Sequence, residues 1–104
     1  MLTVIESPLF SRLWPDYWTP EEYDDFVFWL GLNPDAGDLI PGSGGCRKIR
    51  WSRPGMGKRG GVRVIYLARL KSGELVLLTM YAKNVQDTIA ADVLRKIARE
   101  LSDD

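Results

Sequence analysis

The sequence contains no histidine and a single cysteine among its 104 residues. The lack of histidine excludes a serine–histidine–aspartate triad, a cysteine–histidine dyad and a histidine-paired ribonuclease site. One cysteine, Cys46, cannot form an internal disulfide, and without histidine beside it almost every kind of zinc site is excluded too. Any chemistry must therefore come from Lys, Arg, Tyr, Asp, Glu, Ser or Thr side chains.

Long apolar runs are also lacking. None reaches the roughly 18 residues that a membrane-spanning helix needs, and residues 1–6 have neither the basic region nor the apolar core of a signal peptide. We therefore expect a cytoplasmic protein with no membrane partner. The length, with 45% hydrophobic and 27% charged residues, predicts one globular domain over residues 1–104.

The net charge is zero, but the charges are segregated along the chain. Residues 1–45 hold eight acidic residues and one basic residue, Arg12. Residues 46–63 hold seven basic residues and no acidic one. A basic block of this kind indicates a polyanionic partner, which the overall charge would not suggest.

Two sequence patterns in the acidic segment, residues 1–45, predict the start of a helix. Ser7 precedes Pro8, and Thr19 precedes Pro20 with Glu22 three residues after the threonine. Serine or threonine before proline is typical of a helix N-terminus, and the threonine–glutamate spacing is that of a capping box. We expect helices to begin at both places.

The remaining segments predict a sheet and a last helix. A short strand is expected over residues 2–6, an irregular connection over 35–45, and three strands over 46–52, 62–70 and 75–82. A glycine-rich basic loop occupies 53–61, and an apolar stripe predicts a helix over 85–101. The order β-α-α-β-β-β-α predicts an α+β fold with an antiparallel sheet, two N-terminal helices and a C-terminal helix.

The alternation of side chains along a strand places Lys48 and Arg50 on one face and Arg47 and Trp51 on the other. Arg63 lies one residue into the next strand and Lys83 is at the end of the third, so an antiparallel meander could bring the four cations together at one end of the sheet. Such a cluster without carboxylates suits phosphate rather than Mg²⁺. A solvated basic face that binds a partner's acidic residues is the alternative.

Three further features bear on nucleic-acid binding or catalysis. The loop with Lys58 and Arg59 lacks the P-loop pattern, so it is either a basic finger that touches nucleic acid or a plain hairpin loop. Trp51 lies within the basic block and could stack on a base. Tyr81, two residues before Lys83, either orients or deprotonates a hydroxyl or belongs to the core.

Three segments together carry a resemblance to a known family. The first runs from Gly37 to Trp51 and reads GDLIPGSGGCRKIRW, the second is Gly60–Tyr66, and the third is Leu77–Asn84. They resemble the HigB branch of the RelE superfamily of toxins. The likeness covers nearly the whole chain. It implies a small RelE-like domain and a bacterial type II toxin that cleaves mRNA on the ribosome without a metal or cofactor and thereby inhibits translation. The implied partners are the ribosome, mRNA and a HigA-like antitoxin, often with a helix-turn-helix DNA-binding domain.

Carried over by position, the resemblance implies a catalytic set. Lys48 and Arg50 match basic residues of the second strand, Arg63 matches the arginine of the third, and Lys83 falls where relatives carry Arg, Lys or His. The general base has no clear counterpart, so Lys48 or Tyr81 is expected to act.

Contact with RNA or the ribosome is expected from five further residues of the basic block: Arg47, Trp51, Arg53, Lys58 and Arg59. Two other functions stay open: a ParE-like toxin that inhibits gyrase, and a nucleic-acid-binding module without catalysis.

Overall fold

The computed structural model describes residues 2–52, 61–82, 94–97 and 99. Residues 94–97 and 99 are helical, and the other elements follow in chain order. They are β1 (Thr3–Glu6), α1 (Pro8–Leu13), a 3-10 turn (Trp14–Asp16), α2 (Pro20–Leu32), β2 (Asp38–Leu39), β3 (Cys46–Trp51), β4 (Val62–Arg69), a second 3-10 turn (Leu70–Ser72) and β5 (Glu74–Ala82). No helix within these residues is long and apolar enough to cross a membrane.

Both predicted helix starts are confirmed by their hydrogen bonds. The Ser7 hydroxyl oxygen accepts from the Phe10 N–H at 3.0 Å at the start of α1. At the start of α2, the Thr19 hydroxyl oxygen accepts from the Glu22 N–H at 3.2 Å, and the Glu22 carboxylate accepts from the Thr19 N–H at 2.8 Å. This reciprocal pair is the predicted capping box.

The sheet has five strands in the order β1-β5-β4-β3-β2. Strands β3, β4 and β5 form the predicted antiparallel meander. The prediction of a wholly antiparallel sheet is wrong at one edge, because β1 runs parallel to β5. The prediction of an irregular 35–45 segment is wrong in part, because β2 pairs antiparallel with β3. The α+β class stands, with a mixed sheet.

Strands β4 and β5 lie inside the sheet and bury side chains on both of its faces. One face packs on α1 and α2 through Phe10, Phe26 and Leu30. The other face holds Cys46 and packs on Leu94 of the 94–97 helix. Cys46 is fully buried, and burial raises the pKa of its thiol, so this cysteine acts as a small apolar core residue. The other residues of the predicted 85–101 helix lie outside the described residues.

A β-bulge interrupts the pairing of β4 with β5. Ile65 lies opposite Thr79, whereas the next residue, Tyr66, lies opposite Leu77, so Leu78 is the extra residue. The alternation of faces along β5 therefore shifts by one position beyond Leu78. This shift is why Leu77 and Met80, three residues apart, both belong to the core beneath the helices.

Tyr66 fixes the connection that leads to β2. Its hydroxyl donates to the Pro34 carbonyl oxygen at 2.8 Å and accepts from the Gly37 N–H at 2.9 Å. Burial raises the pKa of this tyrosine, so it stays a protonated donor. A Cβ at position 37 would lie 3.0 Å from the Lys48 carbonyl oxygen and from the Tyr66 ring. Glycine at this position therefore permits the close approach of the connection to β3 and β4.

Candidate nucleic-acid interface

One row of side chains crosses the three strands of the meander. Arg50 on β3 lies directly opposite Arg63 on β4, and Arg63 lies directly opposite Tyr81 on β5. Directly opposite residues of antiparallel strands point to the same face, with Cβ atoms about 4.5–5.5 Å apart. The two arginines and the tyrosine are thus immediate neighbours.

Lys48 belongs to the adjacent row of the same face. It lies two residues before Arg50 on β3 and opposite Ile65 on β4. Ile65 belongs to the core on the side away from α1 and α2. We call Lys48, Arg50, Arg63 and Tyr81 the cationic face. All four residues of the cationic face lie on strands rather than in a loop, so their backbone positions are fixed by the sheet.

Exposure differs within the cationic face. Lys48 and Arg50 are exposed, whereas Arg63 and Tyr81 are partly buried. The Nη1 atom of Arg63 is buried and has no hydrogen-bond partner among the described residues. A buried N–H without an acceptor loses its hydration without compensation, and this loss is larger for a charged group. An oxyanion that bridged Arg50 and Arg63 would supply the acceptor, and arginine binds such groups bidentately.

The sequence did not predict Asp38 as a neighbour of this face. Strand β2 places it directly opposite Lys48, so the expectation of a cluster without carboxylates is corrected in that row. No sequence signal marks a strand of only two residues, because alternation needs a longer run. One carboxylate does not make a cation site, and in the part of the chain that the structure describes no three acidic, Cys or His side chains are grouped to hold a metal ion.

Arg47 and Trp51 lie on the opposite face of β3, as the alternation predicts. The Arg47 guanidinium donates to the Gly37 carbonyl oxygen at 2.6 Å and to the Asp35 carbonyl oxygen at 3.3 Å. The Trp51 ring packs on Phe26 and Trp29, with ring centroids 5.1 and 5.2 Å apart. The structure therefore does not bring these two side chains to the cationic face.

Four of the predicted site residues, Arg53, Lys58, Arg59 and Lys83, lie outside the described residues, so their predicted roles stay predictions. No known protein-family model matches the sequence. The arrangement of Lys48, Arg50, Arg63 and Tyr81 is therefore the main indication of a function, and the HigB resemblance stays a prediction beside it.

Proposed function

We propose that the protein is a RelE-like toxin of the HigB type, a metal-independent endoribonuclease that cleaves mRNA on the ribosome. The observation that carries this proposal is the buried, unpartnered Nη1 of Arg63 in a row with Arg50 and Tyr81. The row combines two guanidinium groups for a phosphate with a phenol for a hydroxyl. Phosphate and ribose hydroxyl are adjacent in RNA, and the 2′-hydroxyl distinguishes RNA from DNA.

The proposed reaction is an internal transesterification. The ribose 2′-oxygen forms a bond to the adjacent phosphorus, and the bond from phosphorus to the 5′-oxygen of the next nucleotide breaks. The proton of the 2′-hydroxyl passes to a general base, and the leaving 5′-oxygen takes up a proton. The products are a 2′,3′-cyclic phosphate, or the 3′-phosphate formed from it, and a 5′-hydroxyl.

Each member of the cationic face has a proposed part in this reaction. Arg63 and Arg50 bind the phosphate and stabilise the extra negative charge of the phosphorane, because fixed donors act most strongly where charge develops. Tyr81 lies directly opposite Arg63, which favours it as the group that orients the 2′-hydroxyl. Tyr81 or Lys48 is proposed to accept the proton of the 2′-hydroxyl as the general base. Outside the cationic face, Lys83 is proposed to protonate the leaving oxygen.

The proposal includes the partners that the resemblance implies. The ribosome and its bound mRNA are the substrate complex, and a HigA-like antitoxin neutralises the toxin in the cytoplasm. Exposed cations at Lys48 and Arg50 suit the RNA backbone, since phosphate contacts supply much of nucleic-acid affinity.

The test is cleavage of a defined mRNA in a reconstituted translation reaction. We expect cleavage of ribosome-bound mRNA, no cleavage of the same mRNA alone, and a 5′-hydroxyl on the downstream fragment. A gyrase supercoiling assay run in parallel should show no inhibition. Uncut mRNA with inhibited gyrase would support the ParE-like alternative, and RNA binding without cleavage in either assay would support a non-catalytic module. A 5′-phosphate on the product would contradict the mechanism.

A further inference from the structure

A groove separates β1 from α2 at the edge of the sheet that is farthest from β2. It has a volume of about 310 Å³. Its lining is largely apolar and comes from both elements: Leu2, Val4, Asp24, Val27, Phe28 and Gly31. The Phe28 side chain is 62% exposed, whereas phenylalanine is most often buried. An exposed apolar surface of this kind is typical of an interaction site.

The backbone of β1 has a free edge beside this groove. Strand β1 is the outermost strand of its side and pairs only with β5 among the described strands. The Thr3 N–H donates to the Gly73 carbonyl oxygen at 2.7 Å, and the Ser7 N–H donates to the Leu77 carbonyl oxygen at 2.9 Å. Because alternate residues of a strand direct their backbone groups to opposite sides, the N–H and C=O of Val4 point away from β5. A free strand edge is a template for a further strand.

The acidic side chains around the groove favour a partner segment that carries positive charge. Asp24 lines the groove and is exposed, and Glu21 lies one helical turn before it on α2. Residues 1–45 carry eight acidic residues against one basic residue. An acidic partner would be repelled here, whereas lysine or arginine next to an apolar side chain would find complementary groups.

We propose that this groove binds an extended segment of a partner protein that pairs with the free edge of β1. An apolar side chain of the segment lies between Val4 and Phe28, and a lysine or arginine beside it meets Asp24. In such strand addition, backbone hydrogen bonds give affinity and a side-chain pocket gives specificity. Strands β5 and β4 separate the groove from Lys48 and Arg50 on β3. This inference therefore does not depend on the proposed nuclease activity.

The test uses a capped heptapeptide of alternating lysine and valine as the probe, with a glutamate–valine peptide of equal length beside it. Calorimetry should show binding of the lysine peptide at least tenfold tighter than that of the glutamate peptide. Amide NMR shifts should map its binding to Val4, Val27 and Phe28. Equal binding of both peptides, no binding of either, or shifts confined to other strands would overturn the proposal.

Two variants and a control sharpen the result. A Cβ at position 31 would have no atom within 4 Å, and Gly31 lines the groove, so the larger side chain of Gly31→Leu is expected to occupy it. We expect at least a tenfold loss of peptide binding. Asp24→Lys should reverse the preference toward the glutamate peptide, whereas Asp35→Lys, exposed and outside the groove, should change neither affinity. If Gly31→Leu binds the lysine peptide as tightly as the wild type, the proposal is wrong. The proposal is also wrong if the protein alone forms a dimer that Gly31→Leu dissociates, since a second copy would then occupy the groove.

Discussion

The hydroxyl of Ser7 donates a hydrogen bond of 2.7 Å to the carbonyl oxygen of Leu78, the extra residue of the β-bulge. The same hydroxyl oxygen accepts from the Phe10 N–H at the start of α1. One side chain thus satisfies both the helix terminus and the bulged backbone. Because the bulge decides which face Tyr81 reaches, Ser7 indirectly supports the cationic face.

Ser7→Ala should destabilise the protein by about 2–3 kcal/mol, since it removes a helix cap and leaves a partly buried carbonyl without this donor. Urea unfolding should show a lower midpoint with an unchanged slope. Thr19→Ala is the matched control, because it removes a cap alone and should cost only about 1 kcal/mol. An equal loss in both variants would show that the bond to Leu78 contributes nothing.

Glu6 should give the protein part of its acid sensitivity. Burial alone would raise the pKa of this carboxyl, but hydrogen bonds from Ser11, Tyr23 and Trp14 outweigh it, and the pKa lies below the ordinary 4.5. The unfolded chain therefore binds the proton more readily. The contribution of Glu6 is complete above about pH 4.5 and is lost as the pH falls through the lower folded-state value.

Glu6→Gln tests this contribution by urea unfolding across the acid range. At neutral pH the variant should lose roughly 1 kcal/mol, a value reduced for the partial exposure of the carboxylate. At about pH 3 the gap to the wild type should narrow. The exposed Glu21→Gln should leave the pH profile unchanged. A constant gap at every pH would refute the assignment.

Tyr23 should make the stability of the protein depend on pH in the alkaline range. Burial, together with the hydrogen bond and charge of Glu6, raises its pKa well above the ordinary value of 10.0. A raised tyrosine pKa contributes stability that is complete below pH 10.0 and is lost as the pH rises beyond it. Tyr23→Phe should flatten the alkaline limb of the stability profile. An unaltered limb in thermal unfolding would count against this role.

Two glycine-to-alanine variants should change stability in opposite directions. Gly31 lies in α2, where a Cβ would have no atom within 4 Å, so Gly31→Ala should stabilise by about 0.5–1 kcal/mol through helix propensity. Gly37→Ala places a Cβ 3.0 Å from the Lys48 carbonyl oxygen and from Tyr66, and should destabilise by about 1–3 kcal/mol. The free energies of unfolding of both variants and the wild type, measured by chemical denaturation, test this prediction. Stabilisation by both would show that the contact at position 37 relaxes freely.

Arg63→Ala should separate activity from stability. Loss of one donor to the phosphorane should lower mRNA cleavage on the ribosome by about 10²–10³. The free energy of unfolding should stay equal or rise, because Nη1 of Arg63 forms no hydrogen bond within the described residues. Arg12→Ala, in α1, serves as the charge control and should cleave normally. A variant that loses stability together with activity would indicate a structural role for Arg63.

Local features could be predicted from the sequence because their causes lie within a few residues. Ser7 and Thr19 cap the helices that begin directly after them. Lys48 and Arg50 share a face because side chains alternate along any strand. The position of Arg63 beside Arg50 follows from joining two strands into an antiparallel pair.

The features that could not be predicted depend on distant parts of the chain. The parallel pairing of β1 depends on how the chain returns through two helices, which no local pattern encodes. The two residues of β2 form a strand only because Tyr66 and β3 hold the connection in place. The bulge at Leu78 adds one residue to an otherwise ordinary apolar strand, so simple alternation cannot tell which face Tyr81 reaches.

The pairing of β1 with β5 has a consequence for biosynthesis. Thr3 lies opposite Glu74 and Glu6 opposite Leu77, and α1 also packs on β5. Strand β1 and helix α1 therefore lack their β5 partner until that strand has been synthesised, and the pairing of β1 with β5 joins segments that are far apart in the chain. Tyr81 leaves the ribosome after Glu74 and Leu77, the β5 residues that pair with β1. A polypeptide interrupted before β5 carries the basic residues of β3 and β4 but not the assembled cationic face, so the protein acquires that surface only after β5 has been synthesised.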